Sequence, residues 1–560
     1  MILIKYKPTD LRYLFLCSEN DKEMKALEAH LNKIPNYMFL PSFSGIPKPE
    51  VFLNKFYKDK KLIYWCSSGL WKEIVDWCKE HNIECSNIAD DSSFKYRSMM
   101  SYEMFASWVK SLKLSLELRE YQIHAAWLIL KFRASLSQLA TRSGKTLIAY
   151  LIFRYMLEVE GAHNILMIVP SIHLVKQGVA DMSEYAEFFK TETVWSKSEL
   201  CDSSNLTIGT FQSLVKIASK KHEKYNPKWF DKFDVVCCDE CHTVKCESIQ
   251  TILKLDFMKN VKIRFGFSGT LPLEHTIESY RVQSLLGPCI QDISSKELQD
   301  AGYLAKASIT QIHIDHPMTK ELISKYIKCG EYLVSNYDTV DGKKILLPKD
   351  QREYTIQHKK SLPYAVKVVK EKYSELDYID YLVDLCKAQG SNLLMLEQML
   401  VHRDNKRLSV MDGLIDEMDG NVIVFAHHTE YIKRMVEHFT ENHPDKQVLC
   451  ITGATSLKKR TEYQDLMLKH NNIILVATYS CVGTGLTFKN LNYGIFAQSF
   501  KSEIINKQAI GRGLLRAPSK DTFYLYDIVD EFPTGRLKRH GHEKMKLWKR
   551  EGFEFNSINM

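Results

Sequence analysis

Residues 139–146 (Leu-Ala-Thr-Arg-Ser-Gly-Lys-Thr) have the composition of a loop that binds phosphate groups. They follow an apolar stretch and precede a helix-like segment, which is the context that such a loop requires. Gly144 would let the backbone approach the phosphates, Lys145 would reach the β- and γ-phosphates, and the Thr146 hydroxyl would bind Mg²⁺. Leu139 takes the place of the first glycine in the usual pattern, so the segment alone also fits a turn before a helix with a surface lysine.

Two adjacent carboxylates, Asp239 and Glu240, directly follow the apolar run at residues 235–238. Carboxylates at the end of a buried strand are costly unless they meet cations. Coordination of Mg²⁺ by Asp239 and activation of a water molecule by Glu240 would give both a role. A solvated loop is the alternative, and the phosphate-binding loop earlier in the chain weakens it.

Further polar strings lie beside predicted strands and helices, in a fixed order along the chain. They occupy residues 118–122, 169–177, 209–214 and 266–271. Gln122 in the first string could hydrogen-bond the edge of an adenine, or lie on a helix surface. Each string alone fits an ordinary loop, whereas their order together with the two motifs above argues against chance.

The elements that position these strings alternate between strands and helices. Between residues 96 and 300, apolar runs alternate with helical patterns, which predicts βαβ units around a parallel sheet. A second set of short buried strands occupies residues 416–530. The two regions together predict an α/β fold with two lobes and a cleft between them.

Polar stretches and changes in the apolar pattern along the chain predict five segments. They are a small N-terminal α+β domain at 1–95, a first lobe at 96–315, a helical linker or insertion at 316–415, a second lobe at 416–535 and a basic C-terminal helix at 536–560. The insertion interleaves tyrosines with basic residues, which suits stacking on bases but equally suits packing. The C-terminal helix fits either a contact with a phosphate backbone or a solvated face.

The composition excludes some protein classes. The chain has 560 residues, 45% of them hydrophobic, and a formal net charge of +8. A disordered chain is disfavoured, and the charge permits a polyanionic partner without requiring one. Because no apolar run approaches the ~18 residues of a membrane span and the N-terminus lacks the pattern of a signal peptide, we expect a cytoplasmic protein without membrane contact.

The cysteine content, 14 residues, predicts reduced thiols in a cytosol. One cluster has a spacing similar to that of metal ligands: Cys237, Cys238, Cys241, His242 and Cys246. However, alternate side chains of a strand point to opposite faces, so Cys237 and Cys238 cannot share one zinc ion. We interpret these two cysteines as part of a buried strand.

The motifs together resemble those of superfamily 2 DEXH-box helicases, with residues 140–146 as the nucleotide-binding motif and residues 239–242 as the DEXH box. More narrowly, residues 287–305, 422–428, 476–491 and 540–555 resemble a phage DNA helicase of this superfamily. The similarity covers about residues 96–310 and 416–555 and is weaker over residues 1–95. It implies that both lobes are RecA-like and that the cofactors are ATP and Mg²⁺.

The resemblance also implies a role for individual residues. The implied ATP-binding residues are Gln122, Thr141, Ser143, Gly144, Lys145, Thr146 and Gly485, with Thr146 and Asp239 on the metal. The implied catalytic residues are Lys145, Asp239, Glu240, Gln508, Arg512 and Arg516. Nucleotide state would be coupled to lobe movement by His242, Ser268 and Thr270. The nucleic-acid backbone would be contacted by Pro170, Ser171, Thr210, Gln212 and Thr478.

The segment from Gln508 to Arg516 resembles an arginine-finger motif with one departure. Leu515 stands where the family usually has its second arginine, and an arginine follows at 516. A shift of one residue on a helix rotates a side chain by ~100°. Either a bulge or loop restores Arg516, or Arg512 acts alone. We expect a bulge or loop, since Ala517-Pro518 would end a helix nearby.

The resemblance implies an ATP-dependent DNA helicase or translocase that remodels branched DNA by fork reversal, branch migration and R-loop unwinding, in phage-like recombination and replication. We expect a monomer in the host cytoplasm whose partners are branched or duplex DNA of any sequence, and RNA in hybrids. The alternatives are an RNA helicase, a restriction-complex motor, and an ATP-gated nucleic-acid-binding protein with weak hydrolysis.

Overall fold

The computed structural model of the chain divides into two compact units, Met1–Ser294 and Ser295–Met560. It describes residues 1–7, 10, 12–32, 50–58, 61–85, 101–112, 114, 116–185, 188–195, 204–316, 337–340, 343–346, 393–402, 404–479, 488, 490–516, 520–532 and 535–560.

The first unit begins with a small α+β domain. Its antiparallel sheet has the order β1-β2-β4-β3 and carries two helices. The elements are β1 (Ile2–Tyr6), β2 (Tyr13–Ser18), α1 (Asp21–Leu31), β3 (Leu53–Lys58), β4 (Lys61–Ser67) and α2 (Trp71–Glu80). The alternating side chains of β1 and β2 face a core with Leu27 of α1 and Ile74 of α2, as expected for a sheet with one covered face.

The remainder of the first unit is a lobe built on a parallel sheet of seven strands, in the order β11-β5-β10-β9-β6-β8-β7. The strands are β5 (Ala134–Leu139), β6 (Ile165–Val169), β7 (Thr191–Val194), β8 (Leu206–Thr210), β9 (Val235–Cys238), β10 (Ile263–Ser268) and β11 (Cys289–Ile293). The helices are α3 (Tyr102–Ser111), α4 (Glu120–Phe132), α5 (Lys145–Glu158), α6 (Ile172–Tyr185), α7 (Phe211–Ala218), α8 (Glu247–Leu253) and α9 (Ile277–Leu286). Every residue of β6, β9 and β10 is buried, and β6 and β9 are accordingly continuous apolar runs in the sequence, whereas β10 also buries Arg264 and Ser268.

The second unit also contains a parallel sheet of seven strands, in the order β16-β17-β15-β18-β19-β12-β20. The strands are β12 (Lys306–Asp315), β15 (Asn421–Ala426), β16 (Gln447–Ile451), β17 (Ile473–Thr478), β18 (Leu491–Phe496), β19 (Thr522–Glu531) and β20 (Glu554–Asn559). The helices are α10 (Ser295–Asp300), α11 (Leu393–Val401), α12 (Asn405–Asp416), α13 (Thr429–Asn442), α14 (Leu457–Lys469), α15 (Glu503–Ile510) and α16 (Arg536–Arg550). The predicted fold class, two RecA-like lobes with a small N-terminal α+β domain, is confirmed.

The predicted boundary of the first lobe at residue 315 is wrong. Strand β12 pairs with β19 along its whole length, from Lys306↔Thr522 to Asp315↔Glu531. This ladder of ten residue pairs makes β12 an inner strand of the second sheet, and the first unit ends at Ser294. The predicted boundary at residue 95 lies outside the described residues.

The predicted limits of the insertion and of the C-terminal segment also need correction. Helix α12 was placed in the insertion, but its Leu408, Met411 and Ile415 belong to the core of the second lobe. The described part of the insertion includes an antiparallel hairpin of β13 (Tyr337–Val340) and β14 (Lys343–Leu346), so it is not helical throughout. Helix α16 packs on β19, and β20 extends the second sheet, so residues 536–560 are part of that lobe.

Candidate active site

The predicted motifs of the first lobe lie along one edge of its sheet. The neighbouring strands β5, β10, β9, β6 and β8 end, respectively, at the phosphate-binding loop, Ser268, Asp239, Pro170 and Thr210. Since these strands are parallel, their carboxyl ends meet at a common edge, which is where open α/β sheets bind ligands. The topology therefore brings together strings that are widely separated in the sequence.

The phosphate-binding loop joins the end of β5 to the first turn of α5. Gly144 has a φ of 85°, and a Cβ atom at this position would lie 2.3 Å from Gln122 Nε2, so only glycine fits without displacing that amide. Ser143 O accepts hydrogen bonds from Gln122 Nε2 at 2.9 Å and from Tyr121 OH at 2.6 Å. The loop is thus fixed from helix α4, and it precedes the positive end of α5.

Gln122 is buried, so its interpretation as a helix-surface residue is wrong. Its Oε1 accepts a hydrogen bond from Arg119 N at 3.0 Å, while its Nε2 holds Ser143 O. The structure therefore gives Gln122 a positioning role in the loop, and its contact with an adenine stays a prediction.

The two predicted catalytic motifs meet in an ion pair. Lys145 Nζ lies 3.3 Å from Glu240 Oε1, and the two side chains are only 15% and 20% exposed. Asp239, at the end of β9, donates its backbone N–H to Ile168 O of β6 at 2.9 Å and accepts at Oδ1 from Glu240 N at 3.0 Å. Glu240 has a φ of 49°, and this left-handed turn directs the chain from the strand into a 3₁₀ helix, Cys241–Lys245.

The surroundings of Asp239 and Glu240 shift the pKa values of the two carboxyl groups in opposite directions. At Glu240, burial favours the neutral acid, but Lys145 and His242 outweigh it and lower the pKa to about 2. At Asp239, burial and the Glu240 carboxylate together raise the pKa to about 6. A divalent cation beside Asp239 would relieve this accumulation of negative charge.

These residues fit ATP and Mg²⁺. The loop supplies a glycine cradle and an ammonium group, and Asp239 supplies a carboxylate that a cation would stabilise. Ser143 Oγ is buried and has no hydrogen-bond partner among the described residues, which leaves a donor within the loop for a phosphate oxygen. Thr141 Oγ1 faces Gly269: a Cβ atom built on this glycine would lie 3.5 Å from the hydroxyl oxygen.

Thr146, the other predicted metal ligand, lies near Asp181 on α6, where its hydroxyl favours the ionised form of that carboxyl group. Burial raises the pKa of Asp181, with opposing contributions from its hydrogen bonds to Gln177 and Thr146. Sequence reasoning missed Asp181, because a single acidic residue inside an amphipathic helix carries no pattern. Its contact links α6 directly to the phosphate-binding loop.

The three predicted coupling residues form a hydrogen-bonded chain that starts at Glu240. His242 Nδ1 lies 3.3 Å from Glu240 Oε2 and 2.9 Å from Ser268 Oγ. Ser268 Oγ donates to Thr270 O at 2.8 Å and accepts from Thr270 N at 3.2 Å. The chain joins the ends of β9 and β10, so a change at Glu240 has a direct path to Thr270.

The predicted nucleic-acid contacts of the first lobe lie together at the ends of β6 and β8. Val169 and Thr210 are register partners, and Gln212 Nε2 donates to Pro170 O at 3.1 Å. Gln212 is exposed, whereas the buried Thr210 hydroxyl donates to Ser213 Oγ at 3.0 Å. Ser171 Oγ accepts from Leu174 N at 3.4 Å at the start of α6.

The predicted residues of the second lobe lie on three elements. Thr478 ends β17, and its buried hydroxyl has no partner among the described residues. Gln508 lies on α15, and Arg512 is buried in the turn that follows this helix. Gly485 lies outside the described residues.

The loop expected between the two arginines is confirmed, because α15 ends at Ile510 and residues 511–516 are not helical. Arg516 is 54% exposed and donates through NH1 to Gly302 O at 2.8 Å. Its NH2 group lies 3.5 Å from Asp521 Oδ1. Which arginine acts in hydrolysis stays a prediction.

Two family models match the chain. The first, described as "Type III restriction enzyme, res subunit", matches residues 115–273. The second, described as "Helicase conserved C-terminal domain", matches residues 406–514. The first match contains the phosphate-binding loop and the Asp239–Glu240 pair, and the second contains Thr478, Gln508 and Arg512.

A curated relative, the ATP-dependent DNA helicase UvsW of Enterobacteria phage T4, is 24% identical over 453 residues, which cover 79% of this chain and 75% of the relative. The crystal structure of T4 UvsW aligns with a TM-score of 0.43 at 18% identity and covers 100% of this chain and 99% of its own. The ATP-dependent Type ISP restriction-modification enzyme LlaBIII bound to DNA aligns with a TM-score of 0.49 at 14% identity and covers 80% of this chain and 31% of its own.

Among the described residues, no helix is both long and apolar enough to cross a membrane.

The nucleotide-binding loop, the acidic pair and the helicase C-terminal domain occur in one chain and in the order typical of superfamily 2. The chain is therefore an ATP-hydrolysing helicase whose motifs resemble those of superfamily 2 and of UvsW.

Proposed function

We propose that this protein is an ATP-driven DNA helicase or translocase that remodels branched DNA, by fork reversal, branch migration and R-loop unwinding, in phage-like recombination and replication. The observation that carries the proposal is the continuous chain of contacts from Lys145 through Glu240, His242 and Ser268 to Thr270. The relative UvsW, whose name describes an ATP-dependent DNA helicase, supports DNA as the substrate.

The residues of the first lobe divide the work of hydrolysis. The Lys145 ammonium exchanges its contact with Glu240 for phosphate oxygens, and Ser143 donates to the same group. Glu240, with its pKa lowered by Lys145 and His242, accepts a hydrogen bond from the attacking water molecule and orients it. Mg²⁺, held by Thr146 and Asp239, would neutralise charge on the phosphates.

Hydrolysis is coupled to movement through Glu240. When Lys145 leaves Glu240, the carboxylate keeps His242 and Ser268 as its remaining neighbours. A shift of Glu240 therefore repositions Ser268 and Thr270, at the end of the strand next to β9. Arg512 of the second lobe would complete the site only when the lobes close, which ties hydrolysis to closure.

The nucleic-acid contacts are to the backbone rather than to bases. None of the five predicted contact residues is charged: Pro170, Ser171, Thr210 and Thr478 lie at or directly after strand ends, and Gln212 lies in the first turn of α7. Such contacts position a strand without reading its sequence, so specificity for sequence is low. On the second lobe, α16 adds a row of exposed basic side chains, Arg536, Arg539, Lys546 and Lys549, which suits a phosphate backbone.

The test is ATP hydrolysis measured without nucleic acid and with single-stranded DNA, duplex DNA, a four-way junction and RNA. We expect the four-way junction to stimulate hydrolysis most strongly, and Lys145→Ala to abolish the stimulated rate. Lys220→Ala, which removes an exposed lysine of the same lobe, is the matched control and keeps the wild-type rate.

Stimulation by RNA alone would replace the proposal with an RNA helicase. Nucleotide binding without stimulated hydrolysis would leave an ATP-gated binding protein. If the four-way junction stimulates ATP hydrolysis but its strands stay paired in a strand-displacement assay, the remodelling step is contradicted and the ATP-driven motor is retained.

A further inference from the structure

A cluster of two histidines, a glutamate and a tyrosine joins the N-terminal domain to the first lobe. His30 on α1 and Glu73 on α2 belong to the N-terminal domain, whereas His275 precedes α9 and Tyr280 lies on it. Glu73 Oε1 lies 2.7 Å from His30 Nε2, 2.7 Å from His275 Nδ1 and 2.6 Å from Tyr280 OH. Residues from separate elements therefore converge on one carboxylate oxygen.

The cluster is anionic at its centre and open at one side. Glu73 is 7% exposed, while His30 and His275 are 22% and 51% exposed. A small cation can approach from the side of His275 and meet the Glu73 carboxyl group beside two imidazoles.

We propose that His30, Glu73 and His275 bind one divalent transition-metal ion, with Zn²⁺ as the best match. Their candidate ligand atoms all lie within 4.8 Å of one another. Two imidazole nitrogens and a carboxylate oxygen are a donor set typical of zinc, whereas Mg²⁺ and Ca²⁺ prefer oxygen donors. The site is thus chemically distinct from the Mg²⁺ site of the phosphate-binding loop.

The geometry needs only a small adjustment. Zinc bonds of about 2.0–2.2 Å in tetrahedral geometry separate two ligand atoms by about 3.4 Å. The two nitrogen–oxygen distances of 2.7 Å would therefore widen by roughly 0.7 Å on binding. His275, half-exposed and in a loop, has the freedom to make this adjustment.

Two further features match a built metal site. The buried Tyr280 hydroxyl donates to Glu73, and hydrogen bonds of this kind orient the carboxylate ligands of metals. His275 has a φ of 59° in the turn before α9, and its ring nitrogen Nδ1 lies 2.7 Å from Glu73 Oε1.

The ion would connect the N-terminal domain to the hydrolysis site. His275 lies in the short segment between Thr270, the last member of the hydrogen-bonded chain from Glu240, and α9. Neither the N-terminal domain nor the lobe alone contains all three ligands. The metal would therefore fix the N-terminal domain to a segment that responds to the nucleotide.

The test is Zn²⁺ binding by the full-length protein after chelator treatment, measured by competition with a chromophoric chelator in the absence of ATP and nucleic acid. We expect the wild-type protein to bind one equivalent more tightly, by at least about tenfold, than His275→Ala and Glu73→Gln do. His222→Ala, which removes an exposed histidine elsewhere in the lobe, is the control and binds as the wild type does. Co²⁺ in the same site should give a ligand-field absorption band that is lost in His275→Ala.

Equal Zn²⁺ affinity in the wild type and in both ligand variants would overturn the proposal, because the ion would then sit on other groups such as the cysteines. Absence of binding to the wild type would overturn it as well and leave a hydrogen-bonded cluster. Glu73→Gln keeps the shape of the side chain and an acceptor oxygen, so loss of binding in this variant does not reflect loss of the fold. Since no step uses ATP or DNA, the result is independent of the proposed helicase function.

Discussion

Substitution of Gly144 by alanine tests whether the phosphate-binding loop depends on close contact with helix α4. Its φ of 85° costs an alanine about 1–2 kcal/mol. The new Cβ would also lie 2.3 Å from Gln122 Nε2, so the amide must leave Ser143 O. Loss of that buried hydrogen bond costs roughly another 1 kcal/mol. The sum of these costs is about 2–3 kcal/mol. If the loop changes shape to avoid them, nucleotide affinity should fall by a corresponding factor of roughly 30–150.

The assay is a titration with a fluorescent ATP analogue. Gly161→Ala is the matched control, because Gly161 also has a positive φ, 61°, but a Cβ there would meet no atom within 4 Å. We expect Gly161→Ala to bind nucleotide within about twofold of the wild type, since this turn lies outside the site.

A double-mutant cycle isolates the contact. In a Gln122→Ala background the obstructing amide is absent, so Gly144→Ala should cost only the backbone term of about 1–2 kcal/mol. If Gly144→Ala binds within threefold of the wild type, or costs the same in both backgrounds, the close approach of Gln122 does not shape the loop and the reasoning fails.

Three further variants test the coupling chain, the arginines and a buried histidine. Ser268→Ala removes the bridge between His242 and Thr270, so strand separation should fall about tenfold while stimulated hydrolysis changes less than about threefold; equal losses would contradict a coupling role. Arg512→Ala should lower the hydrolysis rate by about 10³ at unchanged nucleotide affinity, as expected for an arginine finger, and an unchanged rate would exclude it. His402 Nε2 accepts a hydrogen bond from Gln498 Nε2 at 3.0 Å, and burial beside His428 lowers the pKa of His402 to about 3. Only the unfolded chain then binds a proton at His402 between pH 6.5 and about 3, so stability should fall as pH drops below 6.5 by up to about 1.4 kcal/mol per pH unit, and His402→Gln should remove this contribution in denaturant titrations.

The sequence alone was sufficient to predict each motif that directly follows one strand. The apolar run before Asp239 and the polar loop before α5 are local patterns, and both occur where they were expected. It was not sufficient to assign β12 to its sheet, because a buried parallel strand has the same apolar pattern in either lobe and its partners lie more than 200 residues away. Helix α12 was misplaced for the same reason, since an amphipathic pattern does not identify the core that it faces.

Contacts between distant side chains were beyond sequence reasoning. Glu73 is separated from His30 by 43 residues and from His275 by 202 residues, so no spacing rule connects them. Gln122 was correctly singled out, but its hydrogen bond to Ser143 O depends on how α4 packs beside the loop. Asp181 was missed because its partner, Thr146, lies on another helix.

The contacts of the phosphate-binding loop explain how distant events can reach ATP without a change in the fold. Helix α4 holds Ser143 through Gln122, and helix α6 holds Thr146 through Asp181. Helix α6 starts directly after Ser171, at the edge proposed to contact nucleic acid. We therefore expect a strand bound at Ser171 to act on the phosphate-binding loop through α6 and Asp181.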